Sequence, residues 1–219
     1  MAAHRKRASR KPWILSIAFA LLAGLFVVPT PANASGGEFI CQAVVGRLGS
    51  GHYGMVNGDS DGNPAECADG YFGLNGPIDL GVAQIYGYEA YTSEWGHSAY
   101  ASAATIVIVV GRIHITLTAV EAKASAGCNW LHQPFVASSS KIVGLRINGG
   151  SARALTGYTK INVLGLVVLE LNKTTTHYYY GKQRTQQALV LSSSTTPGKL
   201  VIGEATAGYY GNPCYNNPT

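Results

Sequence analysis

Charged side chains are scarce in this chain of 219 residues, and the basic ones are unevenly placed. Asp, Glu, Lys and Arg make up 12% of the sequence. Five of the 16 Lys and Arg residues lie in residues 1–34, and the 11 that remain are balanced by 11 Asp and Glu. Nucleic acids and anionic lipids select for clustered Lys and Arg. The balance therefore predicts neither as a partner of residues 35–219.

Metal-binding motifs are also lacking. The sequence has no C-x-x-C, H-x-H or H-E-x-x-H spacing, so it offers no recognisable zinc site. One calcium candidate remains, because Asp59, Asp61 and Asn63 place three oxygen-bearing side chains at alternate positions. A solvated turn is the alternative interpretation, since all three are good turn formers. We predict no other cofactor.

Helical periodicity is absent beyond residue 34. Period-two alternation replaces it: Ile113, Ile115 and Leu117 alternate with polar residues, as in a half-buried strand. Short β runs separated by Gly, Asn and Ser turns continue along the chain. We therefore predict one all-β domain at residues 35–219, an antiparallel β-sandwich-like fold, with a glycine-rich loop region at residues 47–76.

Two long apolar stretches are predicted to be continuous strands. In the first, Leu80 to Ala90, Tyr86 and Tyr88 fall on one parity and share a face. The second, Lys160 to Leu171, is apolar on both parities and would be covered on both faces. Further strands are predicted at residues 38–46, 98–110, 136–147, 174–180, 187–191 and 199–209.

The first 34 residues have the parts of a secretory signal peptide. Basic residues precede an apolar run from Trp13 to Val28, and the small-residue site Ala32-Asn33-Ala34 follows. The run is shorter than the roughly 20 residues that a membrane span needs. We predict a secreted, extracellular protein, with cell-wall association as a further option and an uncleaved leader as the one route to the membrane.

All four cysteines, Cys41, Cys67, Cys128 and Cys214, lie beyond this leader. An even number in an exported chain predicts two disulfides. Three pairings are open, and we favour Cys41–Cys67 with Cys128–Cys214. The first bond would tie the opening strand to the loop after it, and the second would tie the C-terminal end to the middle of the domain. Free thiols or zinc ligands are the alternative.

Five segments, taken in order, carry a resemblance to a known family. They are residues 120–124 followed by Cys128, 141–149, 164–172, 187–191, and 202–208 followed by Cys214. In that order they resemble the actinobacterial choice-of-anchor P proteins over roughly residues 80–214. The resemblance implies a surface or secreted protein and supplies no catalytic residues. Residues 212–219 hold no sorting motif, so we expect release or non-covalent retention.

Aromatic residues supply the predicted ligand contacts. The candidates are Tyr86, Tyr88, Trp95, Tyr178 and Tyr180, and the first three share a tyrosine-rich stretch with Tyr91 and Tyr100. Exposed rings can stack on sugars or pack against a protein, whereas cross-strand packing explains them without a ligand. We predict a non-enzymatic structural or adhesive protein of the bacterial surface, whose partner is a cell-envelope component or another protein. A carbohydrate-binding module is the first alternative, and a secreted hydrolase is the second.

Overall fold

A computed structural model describes residues 37–59, 61–73, 76–178, 181–194 and 198–215. These residues form strands and no helix. The strands are β1 (Glu38–Leu48), β2 (Gly51–Val56), β3 (Ala65–Glu66), β4 (Gly70–Gly73), β5 (Ile78–Asp79), β6 (Ala83–Ser93), β7 (Ser98–Val110), β8 (Ile113–Cys128), β9 (Pro134–Ile147), β10 (Arg153–Leu155), β11 (Thr159–Val163), β12 (Val167–His177), β13 (Gly181–Ser193) and β14 (Lys199–Tyr210). The predicted signal peptide, residues 1–34, lies outside the described residues.

The strands pair into two antiparallel sheets, which confirms the predicted all-β sandwich. Sheet one has the order β11-β12-β13-β14-β1-β2, and β3 also pairs with β1. Sheet two has the order β10-β9-β8-β7-β6-β4, and β5 also pairs with β6. Period-two alternation gives sheet two one apolar face, whereas β1 and β14 of sheet one are buried on both parities. The inner apolar side chains of the two sheets form a common core.

The core has two halves of different composition. In the half that we call the isoleucine–leucine half, large aliphatic side chains occupy the inner positions: Ile85, Ile106, Ile108, Ile113, Ile115, Leu117, Leu169, Leu171, Leu189, Leu191, Leu200 and Ile202. In the other, the alanine half, most inner positions are alanine: Ala43, Ala90, Ala99, Ala101, Ala103, Ala122, Ala124, Ala126, Ala205 and Ala207.

In sheet two, the halves meet along a line at which side chains of the same parity switch from one face of the sheet to the other. We call it the reversal line. Gly87 in β6 and Ala119 in β8 have φ of 57° and 48°, and Ala104 of β7 lies between them in the register. A residue with positive φ interrupts the strict alternation of faces. Tyr86 accordingly points outward whereas Tyr88 is buried. The predicted single face for this stretch is therefore wrong.

Sheet one reverses at the matching level. Asn172 in β12, Gly203 in β14 and Gly54 in β2 have φ of 55°, 66° and 63°, and the register aligns them across the sheet. A Cβ on Gly203 would lie 3.6 Å from Val120 and 3.9 Å from Ala122, both in sheet two. The two lines therefore face each other across the core.

Turn chemistry explains the other differences from the prediction. Residues 160–171 form a hairpin rather than one strand, because Leu164 and Gly165 have φ of 54° and 72°, as in a type I′ turn. The glycine-rich region 47–76 is not a continuous loop, since it contains β2, β3 and β4. Glycine weakens the strand signal there. The predicted strands at residues 38–46, 98–110, 136–147, 187–191 and 199–209 are confirmed.

Both disulfides close the alanine half. Cys41 is bonded to Cys67, and Cys128 is bonded to Cys214, with Cα–Cα distances of 5.0 and 5.6 Å. This confirms the favoured pairing. Cys41 lies opposite Ala207 in the register, and Cys128 ends β8 beyond its inner alanines. Covalent links therefore reinforce the half that has the smaller apolar side chains.

Candidate functional site

Small side chains leave a depression on the outer face of sheet two, at the alanine end. The register aligns Ser93, Ser98, Ser125 and Ala137 on four neighbouring strands. Ser98, Ser125 and Ala137 line a depression of about 440 Å³, which we call the serine depression. Its volume falls within the usual range of about 300–1,000 Å³ for ligand sites.

A cross-strand aromatic row borders the serine depression. Tyr71, Tyr91, Tyr100, Lys123 and Ser139 lie opposite one another on five neighbouring strands. The Tyr91 and Tyr100 rings stack with centroids 4.8 Å apart and planes inclined by 28°. Lys123 Nζ lies 5.0 Å from the Tyr100 ring centroid, within cation–π range. We call these five residues the tyrosine row.

Two carboxylates, Glu89 and Glu121, lie on the row next to the tyrosine row and add negative charge to this surface. Lys123 Nζ lies 3.5 Å from a Glu121 carboxylate oxygen, and Ser102 Oγ donates a 3.4 Å hydrogen bond to Glu89. Burial raises the pKa of Tyr100, a hydrogen bond with Ser102 opposes this effect, and both carboxylates add to it. The Tyr100 phenol therefore stays protonated at neutral pH and can donate a hydrogen bond.

Two tryptophans lie in the turns beyond the serine depression. Trp95, in the β6–β7 turn, is 90% exposed, and Trp130, in the β8–β9 turn, is 85% exposed. The two hairpins are two strand spacings apart, roughly 10 Å. Asp69 accepts a 2.9 Å hydrogen bond from the Glu94 backbone N–H next to Trp95. Asn129 Oδ1 accepts backbone hydrogen bonds of 3.0 and 2.9 Å from residues 131 and 133, which brace the second turn.

The structure disperses the aromatic residues that the sequence singles out. Tyr88 is buried and stacks on Phe72 with centroids 5.9 Å apart, so its role is packing. Tyr86 is 38% exposed but lies across the reversal line from the tyrosine row, and its hydroxyl donates to Gln84 at 2.6 Å. Tyr178 is exposed, with Lys182 Nζ 5.9 Å from its ring centroid. Tyr180 lies outside the described residues.

Sequence reasoning missed three contributors to the site. Tyr71 was assigned to a loop, Trp130 belonged to no motif, and Lys123 belonged only to a segment that carries the family resemblance. The alternation along β8 places Lys123 on the outer face. Only the strand register aligns it with Tyr100, because register depends on pairing between distant segments.

The acidic turn is held together by its own hydrogen bonds. Asp59 Oδ1 accepts the backbone N–H of Asp61 at 2.9 Å and of Asn63 at 2.8 Å, and Asp59 Oδ2 accepts the Asn63 side-chain amide at 3.1 Å. Hydrogen bonding from Asn63 is the main cause that lowers the Asp59 pKa. The described residues contain no group of three or more His, Cys, Asp or Glu side chains suited to a metal ion. These contacts favour the turn interpretation.

The same segment also has the spacing of a hydrolase nucleophile motif. Residues 58–62 read G-x-S-x-G, which in a nucleophile elbow joins a strand to a helix. Here the segment lies between β2 and β3, and Gly58 forms a bridge with Pro64. Neither flanking element is a helix, in contrast to the strand-to-helix turn of an elbow. Ser60 itself lies outside the described residues.

His97 is a partly buried histidine in the β6–β7 turn, at the alanine end of the sandwich. Its ring stacks on Phe39 with centroids 4.0 Å apart, and its buried Nδ1 has no hydrogen-bond partner within the described part of the chain. Burial lowers the pKa of His97, and the nearby Glu94 opposes this effect. These contacts hold the His97 ring between the two sheets at the alanine end.

Comparison with known proteins does not assign this two-sheet sandwich to a family. No protein-family model, curated protein or solved structure matches the chain. The resemblance to choice-of-anchor P proteins therefore stays a prediction. Across the described part of the chain, no helix has the length and apolarity to cross a membrane.

Proposed function

We propose that this protein is an exported, non-catalytic adhesive domain that binds a component of the cell envelope. The observation that carries the proposal is the serine depression, bordered by the stacked Tyr91–Tyr100 pair on the outer face of sheet two. Aromatic rings beside small polar residues form a surface that can bury a ligand without a reactive group.

The disulfides support an oxidising location. Two disulfides are typical of exported domains and rare in the cytosol, and here both are formed. Together with the predicted signal peptide, they support secretion, with retention at the cell wall through the adhesive surface. A choice-of-anchor-like protein would be expected in this location.

Carbohydrate is the second candidate function, and the composition of the depression favours it. Its lining joins Tyr91 and Tyr100 to hydroxyl groups of Ser98, Ser125 and Ser139. Sugar rings offer C–H faces that stack on aromatic rings and hydroxyls that exchange hydrogen bonds with serine. The two rings and the serine hydroxyls together suit a neutral polysaccharide.

The test compares two tyrosines on one strand. Tyr91 and Tyr86 are 39% and 38% exposed on the outer face of β6, but only Tyr91 borders the depression. Tyr91→Ala should weaken retention on purified cell walls, and on any positive glycan-array spot, by about tenfold, since a buried stacking contact is worth about 1.5 kcal/mol.

Tyr86→Ala is the matched control and should leave retention unchanged. Equal losses in both variants would contradict a site at the depression. Retention on walls with no glycan signal would favour a protein partner over a sugar. Absence of wall and glycan retention by the unmodified protein would overturn the adhesive proposal.

A further inference from the structure

A second depression lies on the outer face of sheet one, on the side of the sandwich opposite the tyrosine row. It has a volume of about 300 Å³. Arg47 from β1, Lys173 from β12 and Lys199 from β14 line it, above a floor that includes the buried Val190 and Val201. No Asp or Glu is among its described lining residues.

A buried carboxylate positions two side chains of this depression. Glu204 Oε2 accepts a 2.9 Å hydrogen bond from Arg47 and a 2.6 Å hydrogen bond from Gln187 Nε2. The Glu204 side chain is only 9% exposed. Buried, charge-assisted hydrogen bonds restrict the geometry of their donors. Arg47 and Gln187 are therefore held in place at the edge of the depression.

A second carboxylate positions Lys173 in the same way. Glu170 Oε2 accepts a 2.8 Å hydrogen bond from Lys173 Nζ, and Glu170 Oε1 accepts a 3.1 Å hydrogen bond from the Tyr158 hydroxyl. Both oxygens of Glu170 are thus occupied. Lys199 forms no ion pair with a described carboxylate, so three cations face two neutralising carboxylates.

Arg47 has unused hydrogen-bonding capacity. Its Nε is buried and has no hydrogen-bond partner among the described residues. A buried donor without an acceptor is costly, and guanidinium groups satisfy theirs most effectively with a planar or tetrahedral oxyanion. The surplus positive charge of Lys199 and the unsatisfied donor of Arg47 are complementary to an anionic oxygen group.

We propose that this depression binds an oxyanion group, a carboxylate, phosphate or sulfate, on a ligand about the size of a monosaccharide. Arg47 and Lys199 contact the anion, and Gln187 contacts a neighbouring hydroxyl. The volume lies at the lower end for small-molecule sites, which suits a ligand of this size. The anion is either a free small molecule or the charged group of an acidic wall polymer.

Titration followed by two-dimensional NMR tests the proposal on the purified protein at constant ionic strength. The probes are inorganic phosphate, glucuronate and polygalacturonate. We expect the shifted amides to cluster around residues 47, 173, 187 and 199. Lys199→Ala should weaken binding about tenfold, as expected for loss of one charged hydrogen-bonding partner. Arg47→Lys should weaken it as much, because lysine lacks the planar fork.

Lys141→Ala is the matched control, since this lysine lies on sheet two and should leave the affinities unchanged. Equal weakening by Lys199→Ala and Lys141→Ala would overturn the proposal, as would shifts confined to other surfaces. Saturable binding of phosphate and glucuronate alone supports a free anion, and tighter binding of polygalacturonate supports a polymer. Tyr91→Ala should not alter these affinities, so this site can fail or stand independently of the adhesive surface.

Discussion

The two halves of the sandwich fill the core with side chains of different size. The isoleucine–leucine half has large aliphatic side chains on both inner faces and no disulfide among the described residues. The alanine half has small inner side chains and both disulfides. Burial of apolar area stabilises by about 25 cal/mol per Å², so alanines contribute less per position. The cross-links supply the stabilisation that the smaller side chains do not.

The difference also separates stability from recognition. The serine depression, the tyrosine row and both exposed tryptophans belong to the alanine half or to the turns at its end. A covalently constrained scaffold can hold exposed aromatic side chains in place without a large core beneath them. The comparison therefore predicts that disulfides matter most to the half that binds.

Loss of the long-range disulfide should have the largest effect on stability. Its cysteines are 86 residues apart, against 26 for the other bond. In the chain-entropy model, the free energy of unfolding should fall by about 4.6 kcal/mol in the double variant Cys128→Ala, Cys214→Ala. It should fall by about 3.5 kcal/mol in the double variant Cys41→Ala, Cys67→Ala. Urea unfolding measures both free energies.

Amide hydrogen exchange on the same variants sharpens the comparison. Exchange should accelerate in the alanine half first, since local opening follows the loss of local constraint. Equal acceleration in both halves, or a larger cost for the short-range pair, would contradict the proposed division of roles.

Truncation in the isoleucine–leucine half should have the next largest effect. Leu189 is completely buried, so Leu189→Ala should lower the free energy of unfolding by about 3 kcal/mol through lost burial and a new cavity. Leu164→Ala, in the exposed β11–β12 turn, is the control and should change it by less than about 0.5 kcal/mol. A small loss at Leu189 would show that this half does not depend on its large side chains.

Protonation of His97, at the alanine end, should change the free energy of unfolding less than either of the preceding changes. Burial lowers its pKa below the ordinary value of 6.5, so the unfolded state binds the proton more readily. The stabilisation is present above that ordinary value and is lost as pH falls through the lower folded-state pKa. Urea unfolding at about pH 7.5 and pH 5.5 should show this loss.

His97→Phe isolates the titration, because phenylalanine can stack on Phe39 without binding a proton. The pH dependence between the two conditions should be smaller in this variant than in the unmodified protein. An identical dependence would assign the loss of stability to other groups.

Local pattern predicted the strands best where both neighbours in the sheet are long. The alternation at Ile113, Ile115 and Leu117 held, because β8 lies between β7 and β9. Prediction failed at Gly87, where one residue of positive φ reverses the face, and at Leu164, which is a non-glycine residue with positive φ. Glycine accepts either sign of φ, and positive φ is uncommon for leucine, so the local pattern indicates neither reversal.

The candidate site was less predictable than the fold. Tyr86 and Tyr88 were expected to share a face with ligand-binding potential, but one is buried and the other lies on the isoleucine–leucine side of the reversal line. Tyr91 and Tyr100 belonged to the same tyrosine-rich stretch, yet only their direct cross-strand pairing makes them a stacked unit. Tyr71 joins them from β4, an edge strand whose glycines weaken the strand signal in the sequence.

Sequence alone determined the all-β class, the balanced charge of residues 35–219 and the number of disulfides that the chain can form, since composition and period two are local properties. Tertiary structure alone decided the line between the halves, the tyrosine row and the basic depression on sheet one. Each of these depends on strand register, which hydrogen bonds between distant segments set and which no local pattern contains.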